Sequence, residues 1–419
     1  MADNVRTEVR EWLDANWDPE LTVGAWWELL GDSGWAVPMW PAEWHGRGLS
    51  RDEANDVRSE IAAAGVLGPP GGLGVLLAGP TIVAHGSDEQ KRRYLRPIVT
   101  GQEAWCQLFS EPEAGSDLAG LRCAAVKDGD EWIVTGQKTW TSAGQVADLG
   151  MLMARTDPAV PKHGGISYFA IEMIQPGIEI RPLREMTGRS LFNEVFLTEA
   201  RVADDALLGG LNNGWAVGNS TLMFERAGLG AGGGGAASAA LPGQVAGHLE
   251  KRAGDFVGAA TSGTGDVMAG AGAKGLIALA KVTGASAQPV LRQELARLHT
   301  LTEIARYSNL RLKAAKAAGQ DIPGLPNISK LSMSEIMRLV RDLGPRILGP
   351  AGQLTGRDAP VNGRIAEATL FAPATSIYGG SDQVQRNIIG ERVLGLPSEP
   401  RTDKILPFNE LARSRSSSA

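Results

Sequence analysis

The stretch "QLFSEPEAGSDLAG", Gln107 to Gly120, and the stretch "GQKTWTSAG", Gly136 to Gly144, carry the most information about the fold, and we call them the first and second motifs. They lie in residues 104–212, where short segments of alternating apolar and polar residues are separated by turns such as "KDGDE" and "QPG". In "EWIVTG" the alternation places Trp132 and Val134 on one face, and "GISYFAIEM", "IEIRPL" and "NEVFLTEARV" follow the same pattern. This region therefore predicts a compact antiparallel β domain.

Helix-favouring segments lie on both sides of that region. Before it are the charged runs "DEANDVRSEIAAAG" and "SDEQKRRYLRPIV", and Ser87 and Asp88 are suited to cap the second of them. After it, "QPVLRQELARLHTLTEIARYSNLRL" has apolar residues at three- and four-residue steps, and "ISKLSMSEIMRLVRDLG" and "DQVQRNIIGERVLG" predict two more helices. The sequence therefore predicts an α+β fold with an N-terminal helical domain (1–103), a middle β domain (104–212) and a C-terminal helical bundle (213–419).

The composition is that of a soluble globular protein. The chain has 419 residues, 43% of them apolar, and a net charge of −6 without a long basic run, which argues against nucleic acid and membrane surfaces as partners. No apolar run is long enough to span a bilayer, and the charged N-terminus does not resemble a signal peptide. The two cysteines fit a reducing compartment, and no pair among the five histidines has the spacing of metal ligands. We therefore expect a cytoplasmic protein without a metal site.

Glycine and alanine dominate residues 227–273, where Gly228, Gly230 and Gly233 formally satisfy the G-x-G-x-x-G pattern of dinucleotide-binding folds. That interpretation requires a preceding strand inside a βαβ unit. The preceding residues, "GWAVGNSTLMFERAG", favour a helix instead, and no alternation of strands and helices follows them. We therefore expect a helix rich in small residues that packs closely against a neighbour or leaves room for a bulky group.

The two motifs resemble those of acyl-CoA dehydrogenases, flavoenzymes that desaturate acyl thioesters. The first resembles the T/S-E-P-x-A-G-S-D run of that family, and the second follows at the family's spacing. "GGLNNGW" (Gly209 to Trp215) resembles the exit from the β domain, and "SIYGGSDQVQRN" (Ser376 to Asn387) resembles a stretch near the C-terminus. The resemblance covers nearly the whole chain in the right order. It implies FAD as cofactor, an acyl-CoA substrate, a role in lipid catabolism or β-oxidation, and assembly as a dimer or tetramer.

The resemblance also assigns roles to residues of the two motifs. Trp140 corresponds to the tryptophan that lies against the isoalloxazine ring, and Ser142 to the hydroxyl residue that donates to the flavin. Ser116 corresponds to the serine between the flavin phosphate and the substrate. Three further positions correspond to flavin-lining residues: Gln107, Phe109 and Ser110.

Near the C-terminus the resemblance assigns cofactor contacts to the "GGSD" turn, through Ser381 and Gln383. Free N–H groups ahead of a helix suit a phosphate, although an ordinary N-cap turn explains the same residues. Arg346 lies where a glutamine of the family usually reaches the ADP part of the cofactor. The R-x-x-F-G motif, whose arginine meets a neighbour's cofactor in the family, has no counterpart here, since the corresponding region is "AKVTGASAQPVLRQ".

The catalytic base is not at its commonest position. Many members carry a glutamate directly after the tyrosine of the stretch that corresponds to "SIYGGSDQVQRN", where this chain has Gly379. A subset that includes isovaleryl- and long-chain-type members keeps a Glu-Arg pair after the exit from the β domain, and this chain has Glu225 and Arg226 there. The resemblance implies that Glu225 takes the α-proton while the β-hydride passes to flavin N5, that Arg226 contacts substrate, and that the Gly379 N–H polarises the thioester carbonyl. The apolar residues before Glu225 predict burial and a raised pKa.

Two other interpretations remain open at this stage. The missing R-x-x-F-G motif favours a non-catalytic or partner-dependent subunit of a heteromeric acyl-CoA dehydrogenase, whereas Glu225 argues against a chain without any base. An acyl-CoA oxidase of the same fold would share all these motifs. The leading interpretation is a dehydrogenase that passes electrons to an electron-transferring flavoprotein. The acyl group, and whether the subunit pairs with itself or a paralogue, are not predicted.

Overall fold

The computed structural model describes residues 2–230, 239–258, 272–398, 400 and 403–411. The chain packs as two compact units. The first contains residues 1–183, 190–261 and 401–419, and the second contains residues 184–189 and 262–400. The three-domain division at residues 103 and 212 stays a prediction.

The helices of the first unit begin at clear sequence signals. At the start of α5 (Asp88–Val99) the Ser87 side chain accepts from the Gln90 N–H while the Gln90 side chain accepts from the Ser87 N–H, so the predicted N-cap at Ser87 is confirmed. Ser50 and Glu53 make the same reciprocal cap for α3 (Arg51–Ala64). The helices are α1 (Ala2–Asn16), α2 (Val23–Asp32), α3 (Arg51–Ala64), α4 (Gly79–His85), α5 (Asp88–Val99) and α6 (Gly214–Gly230).

Eight strands of the first unit form one sheet: β1 (Trp105–Leu108), β2 (Ala124–Asp128), β3 (Glu131–Ser142), β4 (Leu149–Arg155), β5 (Ile166–Glu172), β6 (Ile178–Leu183), β7 (Phe192–Ala203) and β8 (Leu207–Leu208). Their order is β6-β7-β3-β2-β4-β5-β8, with β1 paired to β4. The predicted antiparallel arrangement is confirmed for the other strand pairs, but β1 and β2 both run parallel to β4. The β2–β3 hairpin separates these strands in sequence, which leaves enough chain for β4 to return in the same direction.

The helix α6 packs against one face of the sheet, at β4 and β5. A Cβ atom at Gly214 would lie 2.4 Å from the Ser167 backbone carbon, and one at Gly218 would lie 2.6 Å from the Met153 sulfur. These glycines therefore allow the helix to approach the strands closely. Every residue of β5 except Glu172 is buried, so side chains on both faces of this strand are shielded from solvent, and the half-buried alternation predicted for this segment was wrong.

The second unit is a helical bundle around a core that includes Leu276, Leu298, Leu343 and Ile365. Its last regular helix is followed by a π-helical turn (Ile389–Val393). The helices are α7 (Ala273–Val282), α8 (Pro289–Ala317), α9 (Leu325–Leu348), α10 (Arg364–Phe371) and α11 (Asp382–Ile388).

The predicted helix over "GWAVGNSTLMFERAG" is confirmed as α6. Gly228 and Gly230 lie at its end rather than after a strand, which excludes the dinucleotide-binding loop for them, and Gly233 lies outside the described residues. Within the described ranges, no helix has the length and apolarity needed to cross a bilayer. The same ranges contain no group of three or more His, Cys, Asp or Glu side chains arranged to hold a metal ion.

Candidate active site

The helix α6 positions Glu225 in the first unit. Its inner face carries Thr221, which is fully buried and whose hydroxyl lies 2.9 Å from the Thr81 hydroxyl and 3.2 Å from the Tyr168 hydroxyl. Glu225 follows Thr221 by four residues, so both lie on one side of the helix. The buried hydroxyl cluster and the two close-packed glycines thus fix the rotation of the helix that carries the carboxylate.

The carboxylate of Glu225 has an environment suited to a base. Burial raises its pKa, while the hydrogen bond from Gln107 and the charge of Arg226 oppose the rise. The Gln107 Nε2 donates to Glu225 Oε2 at 3.4 Å, the long end of the hydrogen-bond range. Arg226 itself is exposed. A carboxylate with a raised pKa binds a proton more strongly than an exposed glutamate, which favours proton abstraction from a weakly acidic C–H group.

Trp140 in the second motif is held in an uncommon way. The pairing register of β3 with β7 shifts between Lys138 and Thr141, and Trp140 at this irregularity has a φ of +60°. Bulky residues rarely adopt that conformation. The side chain is 56% exposed and its ring meets Phe192 edge-on, with 5.7 Å between centroids. The strand therefore presents a broad aromatic surface outward, where a single tryptophan would more often be half-buried.

A buried ion pair joins the two motifs. Lys138 Nζ lies 2.8 Å from Glu111 Oε1, and the two side chains are 0% and 8% exposed. The ammonium group also donates to the carbonyls of Phe109 at 3.1 Å and Met153 at 2.8 Å. The carboxylate accepts the backbone N–H groups of Arg122 and Cys123 as well. All three ammonium hydrogens have acceptors, so the pair locks the first motif onto β3 just before Trp140.

The structure thus brings together several residues that the sequence analysis selected. Gln107 contacts Glu225, the Phe109 ring packs edge-on against Tyr168 at 5.8 Å, and the Ser110 carbonyl accepts the Thr139 N–H at 2.9 Å. Ser142 ends β3, and Ser116 is exposed in the loop that follows Glu111.

The remaining predicted residues lie in the second unit and are described there by themselves. Gly379 has a φ of +64°, in the region that favours glycine, so a glutamate would be strained at this position. Its N–H has no hydrogen-bond partner among the described residues. Its carbonyl accepts from Gln385 at 2.9 Å, and Gln385 in turn accepts from Asn327 at 2.7 Å. Arg346 forms an ion pair with Glu294 on the neighbouring helix α8.

The "GGSD" turn is anchored by its aspartate. Asp382 is buried and accepts from Ser334 at 2.7 Å and from Arg338 at 2.9 Å. Burial alone would raise the pKa of Asp382, but these hydrogen bonds and nearby cations hold it below its usual value. Ser381 caps α11 by accepting the Val384 N–H, and Gln383 is exposed. The ordinary N-cap interpretation therefore accounts for Ser381 in this structure.

The residues of the first unit suit a flavin. Trp140 offers a flat, exposed surface for a planar ring system. Two residues before it in β3, Lys138 joins this strand to the first motif by a hydrogen bond to the Phe109 carbonyl. The hydroxyls of Ser116 and Ser142 form no hydrogen bond within the described part of the chain, so both are available to a ligand. A phosphate-bearing cofactor with an aromatic ring system would use all three groups.

The sequence analysis missed Glu111 and Lys138. Both lie inside the motifs, and their opposite charges were the available signal, but their separation of 27 residues gave no reason to pair them. Arg155 and Lys162, which are also buried, were missed for the same reason.

Comparisons with known proteins agree across the chain. Family models for the acyl-CoA dehydrogenase N-terminal, middle and C-terminal domains match residues 1–102, 106–199 and 267–394. Acyl-CoA dehydrogenase IpdE1 of Mycobacterium tuberculosis is 34% identical over 416 residues, which cover 95% of this chain and 99% of that protein.

Solved structures show the same similarity. One titled Tcur3481-Tcur3483 steroid ACAD has a TM-score of 0.71 and 27% identity, and covers 95% of this chain and 98% of that one. The ChsE4-ChsE5 complex from Mycobacterium tuberculosis has a TM-score of 0.65 and 27% identity, with 95% and 98% covered. The predicted fold class is therefore confirmed, with helical, β and helical domains in that order.

Proposed function

Because the chain belongs to the acyl-CoA dehydrogenase family, we propose that it binds FAD and desaturates an acyl-CoA thioester between its α and β carbons, with Glu225 as the base. The observation that carries this proposal is the partly buried Glu225, with its raised pKa, in the same unit as the exposed Trp140 surface. The proposed electron acceptor is an electron-transferring flavoprotein.

The residues of the chain have separate tasks in this reaction. Glu225 takes the α-proton, so that its carboxylate becomes a neutral acid while the α C–H electrons form the new double bond. Bound flavin would supply the acceptor for the β-hydride. Gln107 holds the carboxylate of Glu225 and keeps its pKa from rising further. The proton on Glu225 leaves to solvent after the product dissociates.

An anaerobic titration tests the proposal. The purified protein should be yellow, and its flavin absorption bands should bleach on addition of a substrate acyl-CoA and return on addition of an electron-transferring flavoprotein. Rapid return in air with release of hydrogen peroxide would identify an oxidase instead. Protein that contains FAD but is bleached by no acyl-CoA would contradict the proposed reaction.

We propose a bulky, ring-bearing acyl group for the substrate. The similar structure titled steroid ACAD supports this, as does the small-residue sequence that follows Glu225. The titration above should therefore show faster bleaching with the CoA thioester of a steroid side-chain acid than with a straight-chain saturated acyl-CoA of equal concentration. The reverse order would contradict this substrate class without affecting the reaction type.

A second candidate is a subunit that needs a paralogous partner to hold FAD. Arg346, at the position expected to reach the ADP part of the cofactor, is engaged with Glu294 in its own unit, and the R-x-x-F-G motif is missing. The two similar solved structures also carry paired names in their titles. Protein that is colourless alone, but yellow when co-expressed with a paralogous chain, would favour this candidate.

Replacement of Trp140 by alanine should weaken FAD binding without unfolding the protein. The side chain is exposed and contacts Phe192 only at its edge, so the fold loses little. Loss of the ring surface should raise the Kd for FAD by about 10- to 100-fold, which corresponds to about 1.5–3 kcal/mol of aromatic burial. Equilibrium titration of FAD-free protein measures this change.

Two variants control for nonspecific effects at Trp140. Trp140→Phe keeps an aromatic face and should lose less affinity than Trp140→Ala. Ile174→Ala removes a 70% exposed apolar side chain elsewhere in the unit and should leave the Kd unchanged. Equal affinities of wild type and Trp140→Ala would remove Trp140 from the flavin site.

A further inference from the structure

The Arg155 guanidinium joins the first-motif loop to the rest of the sheet. Arg155 is 4% exposed at the end of β4, and burial lowers its pKa to about 10. Its Nη2 donates to the Ala119 carbonyl at 2.7 Å, and its Nε and Nη2 share the Leu121 carbonyl. Its Nη1 donates to the Lys162 carbonyl at 2.7 Å. The edge of the guanidinium group thus holds the loop after Ser116 against residues 156–165.

Residues 403–411, which we call the C-terminal segment, cover this group. The Phe408 ring lies over the guanidinium carbon of Arg155, 3.7 Å from carbon to ring centroid. The Phe408 N–H donates to the Val160 carbonyl at 2.9 Å, and the Asn409 N–H donates to the Pro158 carbonyl at 3.0 Å. Main-chain hydrogen bonds therefore dock the segment in one register, with its aromatic ring on the flat face of the buried cation.

A second contact links the C-terminal segment to the loop by charge. Lys162 is 5% exposed, and its Nζ lies 2.7 Å from Asp117 Oδ1 and 2.6 Å from Asp403 Oδ2. Asp117 directly follows Ser116. One lysine thus bridges the carboxylate beside Ser116 and a carboxylate of the C-terminal segment.

We propose that the C-terminal segment positions the loop of residues 116–121, because Phe408 and Asp403 hold this loop in place through Arg155 and Lys162. Its docking should place Ser116 for the phosphate-bearing part of a ligand, either FAD or the CoA of the substrate. The positioning of the loop stands on the contacts above, whereas the ligand rests on the proposed function.

Hydrogen exchange on the whole 419-residue chain tests whether the C-terminal segment positions the loop. The Gly120 N–H donates to the Asp117 carbonyl, and the Leu121 N–H donates to the Leu118 carbonyl. Phe408→Ala should make exchange at these two amides about ten- to thirtyfold faster, the change in equilibrium expected from losing a desolvated cation–π contact. Phe408→Tyr keeps the aromatic face and should restore slow exchange.

Binding measurements test whether this positioning serves a phosphate-bearing ligand. Phe408→Ala should raise the Kd for FAD or the KM for acyl-CoA about tenfold. The kcat at saturation should stay near the wild-type value, because Glu225 is unchanged. A shift in the FAD Kd assigns the loop to the cofactor phosphate, and a shift in KM alone assigns it to CoA.

The matched control is Ile405→Ala, which removes a 77% exposed side chain from the same segment and should change neither readout. Asp403→Asn is a milder variant that keeps Phe408, and it should speed amide exchange and weaken ligand binding to a smaller extent. If Phe408→Ala does not fold, Asp403→Asn alone tests the proposal. Unchanged exchange in both variants would overturn the proposal. Faster exchange with unchanged Kd and KM would overturn its ligand half. Wild-type protein without acyl-CoA activity would count against the proposed function only, since the exchange readout needs no substrate.

Discussion

Glu225→Gln should retain FAD and lose flavin reduction by acyl-CoA by a factor of about 10²–10⁴ or more. Glutamine has nearly the shape of glutamate, and its side-chain oxygen can still accept the Gln107 hydrogen bond seen at 3.4 Å. It cannot take a proton, and Gly379, at the position where many members carry their base, has no side chain to replace it. Stopped-flow measurement of flavin bleaching under anaerobic conditions gives the rate directly.

The pH dependence of the wild-type rate is a second readout of the same residue. Burial raises the pKa of Glu225 above the value of about 4.3 that is typical of an exposed glutamate. The carboxylate is therefore the major form only at a pH above that raised pKa. The rate should therefore rise with pH along a limb whose apparent pKa lies above that value. Gln107→Leu removes a contact that lowers the pKa, so it should move the limb to still higher pH.

The matched control for Glu225 is Glu113→Gln, which changes a 79% exposed carboxylate in the first motif. That variant should reduce its flavin at the wild-type rate. A Glu225→Gln protein with a wild-type rate, or with the acidic limb still present, would show that the base is another group.

The sequence predicted the parts of this structure that depend on local signals. Ser87 caps the start of α5 by hydrogen bonds with Gln90, only three residues away. The family was identified from motifs that match as continuous strings. The parallel pairing of β1 with β4 and the burial of both faces of β5 depend on contacts between distant segments, which no local pattern encodes. The same holds for the return of residues 403–411 to the first unit.

The candidate site shows the same division. Glu225 and Trp140 were selected because each lies in a recognisable motif. The exposure of Trp140 was not predicted, since it results from a register shift between β3 and β7 that local alternation conceals. The burial of Lys138 was not predicted either, since a lysine in a strand is usually solvated and its partner Glu111 lies 27 residues away, whereas here the side chain is fully buried.

Lys138→Met should lower the free energy of unfolding of the first unit by about 3–5 kcal/mol, the usual cost of removing one partner from a buried ion pair. Methionine fills a similar volume, so the loss comes from the polar groups. The Glu111 carboxylate keeps two backbone N–H donors but loses its cation, and the carbonyls of Phe109 and Met153 each lose a donor. Chemical denaturation with excess FAD in all samples measures the change.

Two further variants separate the buried charge from the lysine itself. Lys127→Met removes a lysine that pairs with Asp204 at the surface, where its side chain is 39% exposed, and should cost less than about 1 kcal/mol. Adding Glu111→Gln to Lys138→Met should recover part of the lost stability, because a neutral amide then replaces the uncompensated carboxylate, and its one oxygen still accepts one of the two hydrogen bonds from Arg122 and Cys123. A Lys138→Met protein as stable as Lys127→Met would mean that the pair contributes no more than a surface contact. The connection between the two motifs would then rest on the backbone hydrogen bond between Ser110 and Thr139.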